Sequence, residues 1–381
     1  MKQVFASYNT IVSPLGFDTL SNINHIQKGI SGIVQHCDTS LLPVSFYAAC
    51  IESQKLDTAF NAIADNSIHT KLEKMMLLSL YDTLNLSKVK ISDRTGLLIS
   101  TTKGNIDVLQ PKSSFKEERA YLTVLGSQIK DYFGFKNNPI IISNACVSGL
   151  LSISIAKRLI LAGVYDEVFI ISGDIVSEFT LSGFYSFQAI SNEPCKPFSK
   201  NRSGITIGEA AASILITNND NHLSDDAVMI LGDSTTNDAN HISGPSRTGE
   251  GLVKSIQNAF DESGLSATAI DYVSAHGTAT LYNDEMEAIA LSRTNLNNVP
   301  VNSLKGYYGH TLGASGLLET IVGMQSLKNN MLYACLGFDE LGVSREINVI
   351  EKNMVKELKT FLKTASGFGG SNTAVVFQKL K

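Results

Sequence analysis

Short apolar runs alternate with longer amphipathic stretches along the chain. Eight runs rich in Val, Ile, Leu and Phe have the length of buried strands. They are residues 96–101, 139–143, 167–173, 211–217, 226–232, 270–277, 299–303 and 372–378. Stretches at 71–84, 251–264 and 284–293 show apolar residues at helical spacing. The alternation predicts an α/β protein with largely parallel sheets that are covered on both faces.

The most polar and least periodic segment is "TNNDNHLSDD", residues 217–226. The chain shows the same pattern before and after this segment: a predicted strand, then a residue with a chemically reactive side chain, then a predicted helix. We therefore expect two halves, 1–217 and 226–381. A length of 381 residues agrees with two domains.

The composition narrows the classes of function. The chain has 31 basic and 36 acidic residues without a basic block, which argues against a nucleic-acid partner. We also expect no membrane span, because no long apolar run is free of charges. The five cysteines are widely spaced and form no CxxC pair. This pattern is typical of reduced thiols in a cytoplasm.

One cysteine stands between two apolar runs, within "SNACVSG". Taken alone, a free cysteine is more often packed in a core than reactive. Small residues on both sides, however, permit the sharp strand-to-helix turn that carries the nucleophile in some hydrolases. The first N–H groups of the helix would also favour the thiolate. Cys146 is therefore the candidate nucleophile.

Two of the seven histidines lie at the ends of predicted strands, flanked by small residues. After His276, Thr278 leads the chain away from the strand, and Asp284 and Glu287 open a helix with acids of the expected sign. His310 precedes a glycine-rich entry into another apolar helix. Active sites of α/β proteins collect at such strand ends. We therefore expect both histidines beside the cysteine.

One cysteine and two histidines suit more than one chemistry. A zinc site would need a fourth ligand or a water, and the spacings match no compact zinc motif. A Cys–His hydrolase would need only one histidine. Two neutral N–H donors suit a reaction in which an oxyanion develops away from the nucleophile.

Six segments together resemble the β-ketoacyl-acyl carrier protein synthases, in particular KAS II-like members, which are the condensing enzymes of fatty acid and polyketide synthesis. In chain order they are "IVSPLGFDTLSNINHIQKGISGI", "ACVSG", "PFSKNRSGITIGEAAASILI", "HGTATLYNDEMEA", "KGYYGHTLGASG" and "GFGGSN". The likeness covers nearly the whole chain. It implies a thiolase-like fold, with two duplicated βαβαβαββ halves in a five-layered α-β-α-β-α sandwich.

The resemblance also implies roles for the candidate residues. Cys146 would receive the acyl chain as a thioester from the phosphopantetheine of acyl carrier protein, without a bound cofactor or metal. His276 and His310 would hydrogen-bond the malonyl thioester carbonyl and stabilise the enolate left by decarboxylation. Lys305 would pair with Glu287 and orient the histidine region. A second ketosynthase-like chain would complete a homodimer or a heterodimer.

Further residues are supporting ones by the same resemblance. The backbone N–H groups of Cys146 and Phe368 would form an oxyanion hole, in a turn that Gly367 shares. Asp284 and Thr278 would support the first histidine. Ser366 stands where many elongating synthases carry phenylalanine, and a smaller side chain there would widen the acyl entrance.

The motif "SNAC" and the short chain are similar to the synthases of aryl polyene and flexirubin-type pigments. Three other functions stay open at this point. A non-catalytic chain-length factor usually lacks the cysteine that this chain keeps. A thiolase would need a second cysteine in the late glycine-rich region. A Cys–His hydrolase or an acyl-binding module is the third.

Overall fold

The apolar runs fold into strands and the amphipathic stretches into helices in a computed structural model that describes residues 3–238 and 244–380. Fifteen strands lie in these described ranges: β1 Phe5–Val12, β2 Val34–His36, β3 Phe46–Ala49, β4 Thr95–Ser100, β5 Ile140–Ile142, β6 Glu167–Asp174, β7 Ile207–Gly208, β8 Ala210–Thr217, β9 Val228–Asn237, β10 Tyr272–Ser274, β11 Val301–Asn302, β12 Met331–Leu332, β13 Met354–Val355, β14 Thr360–Gly367 and β15 Ser371–Lys379.

The same described ranges contain ten α-helices, and short 3₁₀ turns connect some of the elements. The helices are α1 Thr19–Gln27, α2 Ser53–Phe60, α3 Lys71–Ser87, α4 Leu122–Phe133, α5 Ser148–Leu161, α6 Glu178–Ser186, α7 Glu250–Ser263, α8 Leu281–Arg293, α9 Lys305–Tyr308 and α10 Ser315–Asn329. α3 shows how the sequence sets such an element, because it begins with a capping box formed by Thr70 and Glu73.

Ten strands form one sheet whose order repeats a single pattern. The order is β11-β10-β14-β15-β9-β1-β8-β6-β4-β5. Counted within its own half, each set of five strands runs 3-2-4-5-1 from its outer edge to the centre. Strands 3, 2 and 4 of each half are parallel, and strands 5 and 1 are antiparallel to their neighbours. The duplicated halves implied by the resemblance are confirmed.

The expectation of largely parallel sheets is wrong. Five of the nine neighbouring pairs in the large sheet are antiparallel, including the central pair of β1 and β9. Sequence patterns find buried strands but not their direction, because burial on both faces produces the same apolar run in either case. β1 and β14 also lie outside the predicted strands, since polar residues interrupt "FASYNTIV" and "TFLKTASG".

The halves stack in five layers. α3 packs on the outer face of β1, β6 and β8, and α7 packs on the outer face of β9, β14 and β15. Between them, α5 and α10 contact each other and strands of both halves. Their apolar residues form the central core, which includes Leu150, Ile153, Leu317 and Ile321. The five-layered thiolase-like fold is therefore confirmed, while the half boundary at residues 217–226 stays a prediction.

Both central helices begin near one end of this stack, and their start positions carry the candidate chemistry. α5 follows β5 directly, and α10 follows β11 after the short helix α9; β5 and β11 are the third strands of their halves. The hairpin of β14 and β15 turns through Gly369 and Gly370, at φ +84° and +82°, values that favour glycine. None of the described helices is long and apolar enough to cross a membrane.

Candidate active site

Cys146 stands in a strained turn between β5 and α5. The preceding Ala145 has φ +44°, which is uncommon for a residue with a Cβ. Ser148 holds the turn closed: its Oγ accepts from Asn144 N at 2.7 Å and donates to Ala145 O at 2.6 Å. The thiol is buried and lines a cavity. The strand-to-helix elbow expected for the nucleophile is present.

The resting protonation state of this cysteine differs from the expectation of a thiolate. Burial raises the pKa of the Cys146 thiol to about 11, while Lys103, Lys305 and a hydrogen bond from the Phe368 N–H act in the opposite direction. Desolvation of a charged sulfur thus outweighs the groups that favour the thiolate. Cys146 is a thiol at pH 7.

His276 lies just beyond β10, in a turn held by the two buried acids of α8. The strand ends at Ser274, two residues before the histidine, whereas the sequence suggested a strand over 270–277. Glu287 accepts from the N–H groups of His276 and Gly277, at 2.8 and 2.6 Å. Asp284 accepts from Thr278 N at 2.9 Å. These acids fix the turn through its backbone.

The predicted pairing of Lys305 with Glu287 is wrong. Lys305 Nζ lies 2.8 Å from Glu319 Oε1, on α10, and 2.5 Å from the carbonyl oxygen of His276. Glu287 is instead occupied by backbone N–H groups, and burial beside Asp284 raises its pKa to about 7. Glu319 was missed because it is a lone acid in an apolar helix stretch.

Lys305 also sets the tautomer of His276. Its Nζ lies 3.4 Å from His276 Nδ1. An ammonium can only donate, so Nδ1 is the acceptor and the ring proton is on Nε2. His276 can therefore offer an N–H from Nε2.

His310 reaches the same place from the turn between α9 and α10, in the same half of the chain as His276. Gly309 precedes it at φ +65°, and the His310 N–H donates to Thr206 O at 2.6 Å. Its Nδ1 lies 3.0 Å from Ser315 Oγ, at the start of α10. Asp174 was not predicted; it accepts from Gly313 N at 2.8 Å and thereby ties the turn after the histidine to β6.

The structure brings the three predicted residues together. One ring nitrogen of His276, one of His310 and the sulfur of Cys146 all lie within 4.8 Å of one another. The imidazole centroids are 5.1 Å apart, and the rings are nearly perpendicular. Burial, Lys305 and Lys363 lower the pKa of both histidines well below their usual range, so both rings are neutral at pH 7.

The same three atoms are the group in the described residues that could hold a metal ion. A zinc ion would take them as three ligands and would need a fourth, as the sequence already indicated. The burial of all three residues also fits a small covalent intermediate formed at the sulfur.

A cavity of about 610 Å³ opens above the three residues. Its lining includes the predicted Thr278, Ser366, Gly367 and Phe368. Phe368 lies at the end of β14, where its ring contacts those of two further residues, Phe184 and Phe187. The Ser366 hydroxyl donates to Asn372 Oδ1 at 2.8 Å, so it faces an amide partner as well as the cavity.

A backbone donor pair lies against the sulfur. The Phe368 N–H is hydrogen bonded to the Cys146 thiol. Gly367 approaches so closely that a Cβ on it would lie 3.1 Å from Cys146 N. The Gly367–Phe368 turn therefore lies against Cys146, and the oxyanion hole formed by the two N–H groups stays a prediction.

A buried cysteine at an elbow, two neutral histidines and a cavity of this size define a thiolase-like acyl-transferring enzyme. The chain belongs to the beta-ketoacyl synthase family: the model of the N-terminal domain matches residues 18–222, and that of the C-terminal domain matches residues 227–339.

Individual relatives agree with this family. The chain is 26% identical to 3-oxoacyl-acyl-carrier-protein synthase 2 of Vibrio cholerae, over 97% of each chain. It is 28% identical to a 3-oxoacyl-acyl-carrier-protein synthase homolog of Saccharomyces cerevisiae, over 86% of this chain and 81% of that one.

Two solved structures show the same fold. The ishigamide ketosynthase/chain length factor matches all of both chains with a TM-score of 0.88 at 18% identity. The ketosynthase ApeO in complex with its chain length factor ApeC, from Xenorhabdus doucetiae, matches with a TM-score of 0.82 at 22% identity, over 100% of this chain and 98% of that one.

Proposed function

We propose that the chain is a β-ketoacyl-acyl carrier protein synthase that joins an acyl chain to a malonyl unit by decarboxylative Claisen condensation. The observation that carries this proposal is the meeting of Cys146, His276 and His310 within 4.8 Å below one cavity. The reaction uses two thioesters in succession. The first requires a nucleophile, and the second requires hydrogen-bond donors for its carbonyl oxygen.

In the first step, the Cys146 sulfur attacks the acyl thioester carried on phosphopantetheine. A new carbon–sulfur bond forms, and the carrier sulfur leaves and takes the proton of the thiol. The N–H groups of Cys146 and Phe368 stabilise the transient oxyanion, at about 3 kcal/mol per donor. The chain is then a thioester of Cys146.

In the second step, malonyl carrier protein loses carbon dioxide, and the electron pair remains as an enolate on the thioester. His276 and His310 donate hydrogen bonds to its oxygen, which neutral rings do without repelling the lysines nearby. The carbanion attacks the acyl carbon, and Cys146 leaves as a thiolate that water protonates. The product is a β-ketoacyl carrier protein longer by two carbons.

The carrier protein and a second chain are the partners of this reaction. We place the enzyme in an assembly of two ketosynthase-like chains, either identical or different. The ApeO and ishigamide structures are named as complexes or pairs with a chain length factor, and they share this fold. The five free cysteines support a reducing cytoplasm as the location.

The serine at position 366 supports the proposal that the substrate is a polyene chain, as in the pigment synthases. Its side chain is small and borders the cavity beside Cys146. With a Ser366→Phe variant, we expect elongation of a conjugated chain to fall more than that of a saturated chain of equal length. Equal rates of both chains in the unchanged enzyme would contradict this preference.

The reaction is tested by following both steps with purified carrier proteins. The enzyme should release carbon dioxide, form the longer product and show ping-pong kinetics. Replacement of His276 or His310 by Ala should lower the second step by about 10² to 10³-fold and the first by far less. Equal loss in both steps would contradict the assigned roles.

A further inference from the structure

A second buried lysine lies next to the site and has no part in the two steps above. Lys363 is in the middle of β14, within "TFLKTASG", and is fully buried. Its register partner on β10 is Ser274. A lysine inside a central strand is costly unless its charge is compensated, so its contacts need an account.

The Lys363 ammonium lies in a cage of four oxygens. Nζ donates to the carbonyls of Thr364 at 2.7 Å, Ser274 at 3.0 Å and Ala275 at 3.2 Å. Glu319 Oε2 lies 2.8 Å away. Three hydrogens thus meet three backbone acceptors and one carboxylate, which compensates for the loss of water.

This cage is joined directly to His276. Two of the carbonyls belong to Ser274 and Ala275, the residues that precede the histidine. Glu319 forms ion pairs with both lysines: one carboxylate oxygen contacts Lys363 and the other contacts Lys305. Lys305 in turn contacts the carbonyl and Nδ1 of His276. The segment at the end of β10 is therefore held in two ways. Lys363 and Lys305 bind its carbonyl groups, and Glu287 accepts hydrogen bonds from its N–H groups.

We propose that Lys363 is a positioning residue for His276, which fastens the two carbonyls before it to Glu319 and so directs its Nε2 hydrogen at the second thioester. This inference rests on the function proposed above. It assigns Lys363 no contact with substrate. Small displacements matter here, because an error of about 1 Å in a catalytic donor can cost up to about 10²-fold in rate.

The charges around the cage agree with this role. Lys305 and Lys363 both form ion pairs with Glu319. Glu287 accepts hydrogen bonds from backbone N–H groups instead. Burial, Lys305, His310 and Lys363 all disfavour a positive charge on the His276 ring, and they lower its pKa well below the usual range.

The test compares the two half-reactions in a Lys363→Met variant, which retains most of the length of the side chain and removes its charge. Acyl transfer to Cys146 should stay within about threefold of the unchanged enzyme. Decarboxylation of malonyl carrier protein should fall about 30-fold in kcat, with little change in KM, since the loss is one of donor alignment. Removing a nearby cation should also raise the pKa of His276, so the acid limb of decarboxylation should move to higher pH.

The matched control is Lys157→Met. Lys157 is another buried lysine, which pairs with Asp233 and Glu262 toward the far end of α5. Its loss should reduce stability but leave the ratio of the two half-reactions and the acid limb unchanged. If Lys363→Met does not fold, Lys363→Gln retains two N–H donors for the carbonyls but removes the charge. Its decarboxylation should therefore fall less than about 30-fold, while the acid limb should still move to higher pH.

The outcomes separate this inference from the proposed function. An unchanged enzyme that forms no acyl-Cys146 and releases no carbon dioxide would overturn the function itself. If the unchanged enzyme performs both steps, a Lys363 variant with the same rates and acid limb would overturn the positioning role. Equal loss in both half-reactions, as for a purely structural lysine, would overturn it as well.

Discussion

The two histidines of the site are surrounded by cations rather than by carboxylates. Lys305 contacts His276 directly, and the carboxylates nearby are occupied by lysines or backbone N–H groups. In a serine protease triad, an acid stabilises a histidine that becomes charged during the reaction. Here the surroundings oppose that charge. The rings are therefore donors throughout rather than bases.

This neutrality can be measured directly. Burial and nearby cations disfavour the protonated form, so the pKa of His276 and His310 lies well below the usual value. In a ¹⁵N-histidine NMR titration, their ring signals should remain those of the neutral form from pH 8 down to about 6, below the value of about 6.5 at which histidine in a model peptide titrates. His276→Gln and His310→Gln variants assign the signals. A midpoint at or above 6.5 for either ring would contradict the account.

At the scale of elements, one acid of α8 fixes the turn that carries His276. In a Glu287→Ala variant, the N–H groups of His276 and Gly277 lose a buried acceptor, at about 1–3 kcal/mol each. Urea unfolding should show this loss of stability. The exposed Glu340→Ala is the control and should change stability by less than about 0.5 kcal/mol. A similar small effect for Glu287→Ala would show that the turn does not depend on this acid.

The two central helices meet through glycines near their starts. A Cβ on Gly149, in α5, would lie 2.7 Å from the carbonyl oxygen of Gly313 and 2.8 Å from Leu317 N. A Gly149→Ala variant must therefore push α5 away from α10, which separates Cys146 from His310. We expect a loss of about 1–3 kcal/mol in stability and of most condensation activity.

The control for that prediction is Gly183→Ala. Gly183 is also inside a helix, α6, but a Cβ there meets nothing within 4 Å. Because alanine favours helix, this variant should be as stable as the unchanged chain or more so, by up to about 1 kcal/mol. Full activity of Gly149→Ala would show that the close approach of the helices is not required.

At the scale of the whole molecule, the sequence could predict the site better than the sheet. Cys146, His276 and His310 carry local signals, since small residues and strand ends mark each of them. Glu319 and Lys363 carry only a charge inside an apolar run, and their meaning depends on contacts between α10 and β14. The partner of Lys305 could not be chosen from sequence, because several acids lie at compatible distances along the chain.

Strand direction and the protonation of the nucleophile also depend on the folded whole. Apolar runs do not distinguish parallel from antiparallel neighbours, which explains why five antiparallel pairs were not expected. A helix start predicts a lower pKa for Cys146, whereas burial between two halves raises it. Both corrections come from long-range packing rather than from local pattern.

The central claim is that a single sulfur, supplied by one half of the molecule, holds the acyl chain while histidines from the other half act on a second thioester. Intact mass spectrometry tests it most directly. After incubation with acyl carrier protein, the enzyme should gain the mass of one acyl group, located on Cys146 by peptide mapping and absent in Cys146→Ala. Malonyl carrier protein should then remove that mass and return it as a product two carbons longer. A persistent adduct, or an acyl group on another residue, would contradict the account.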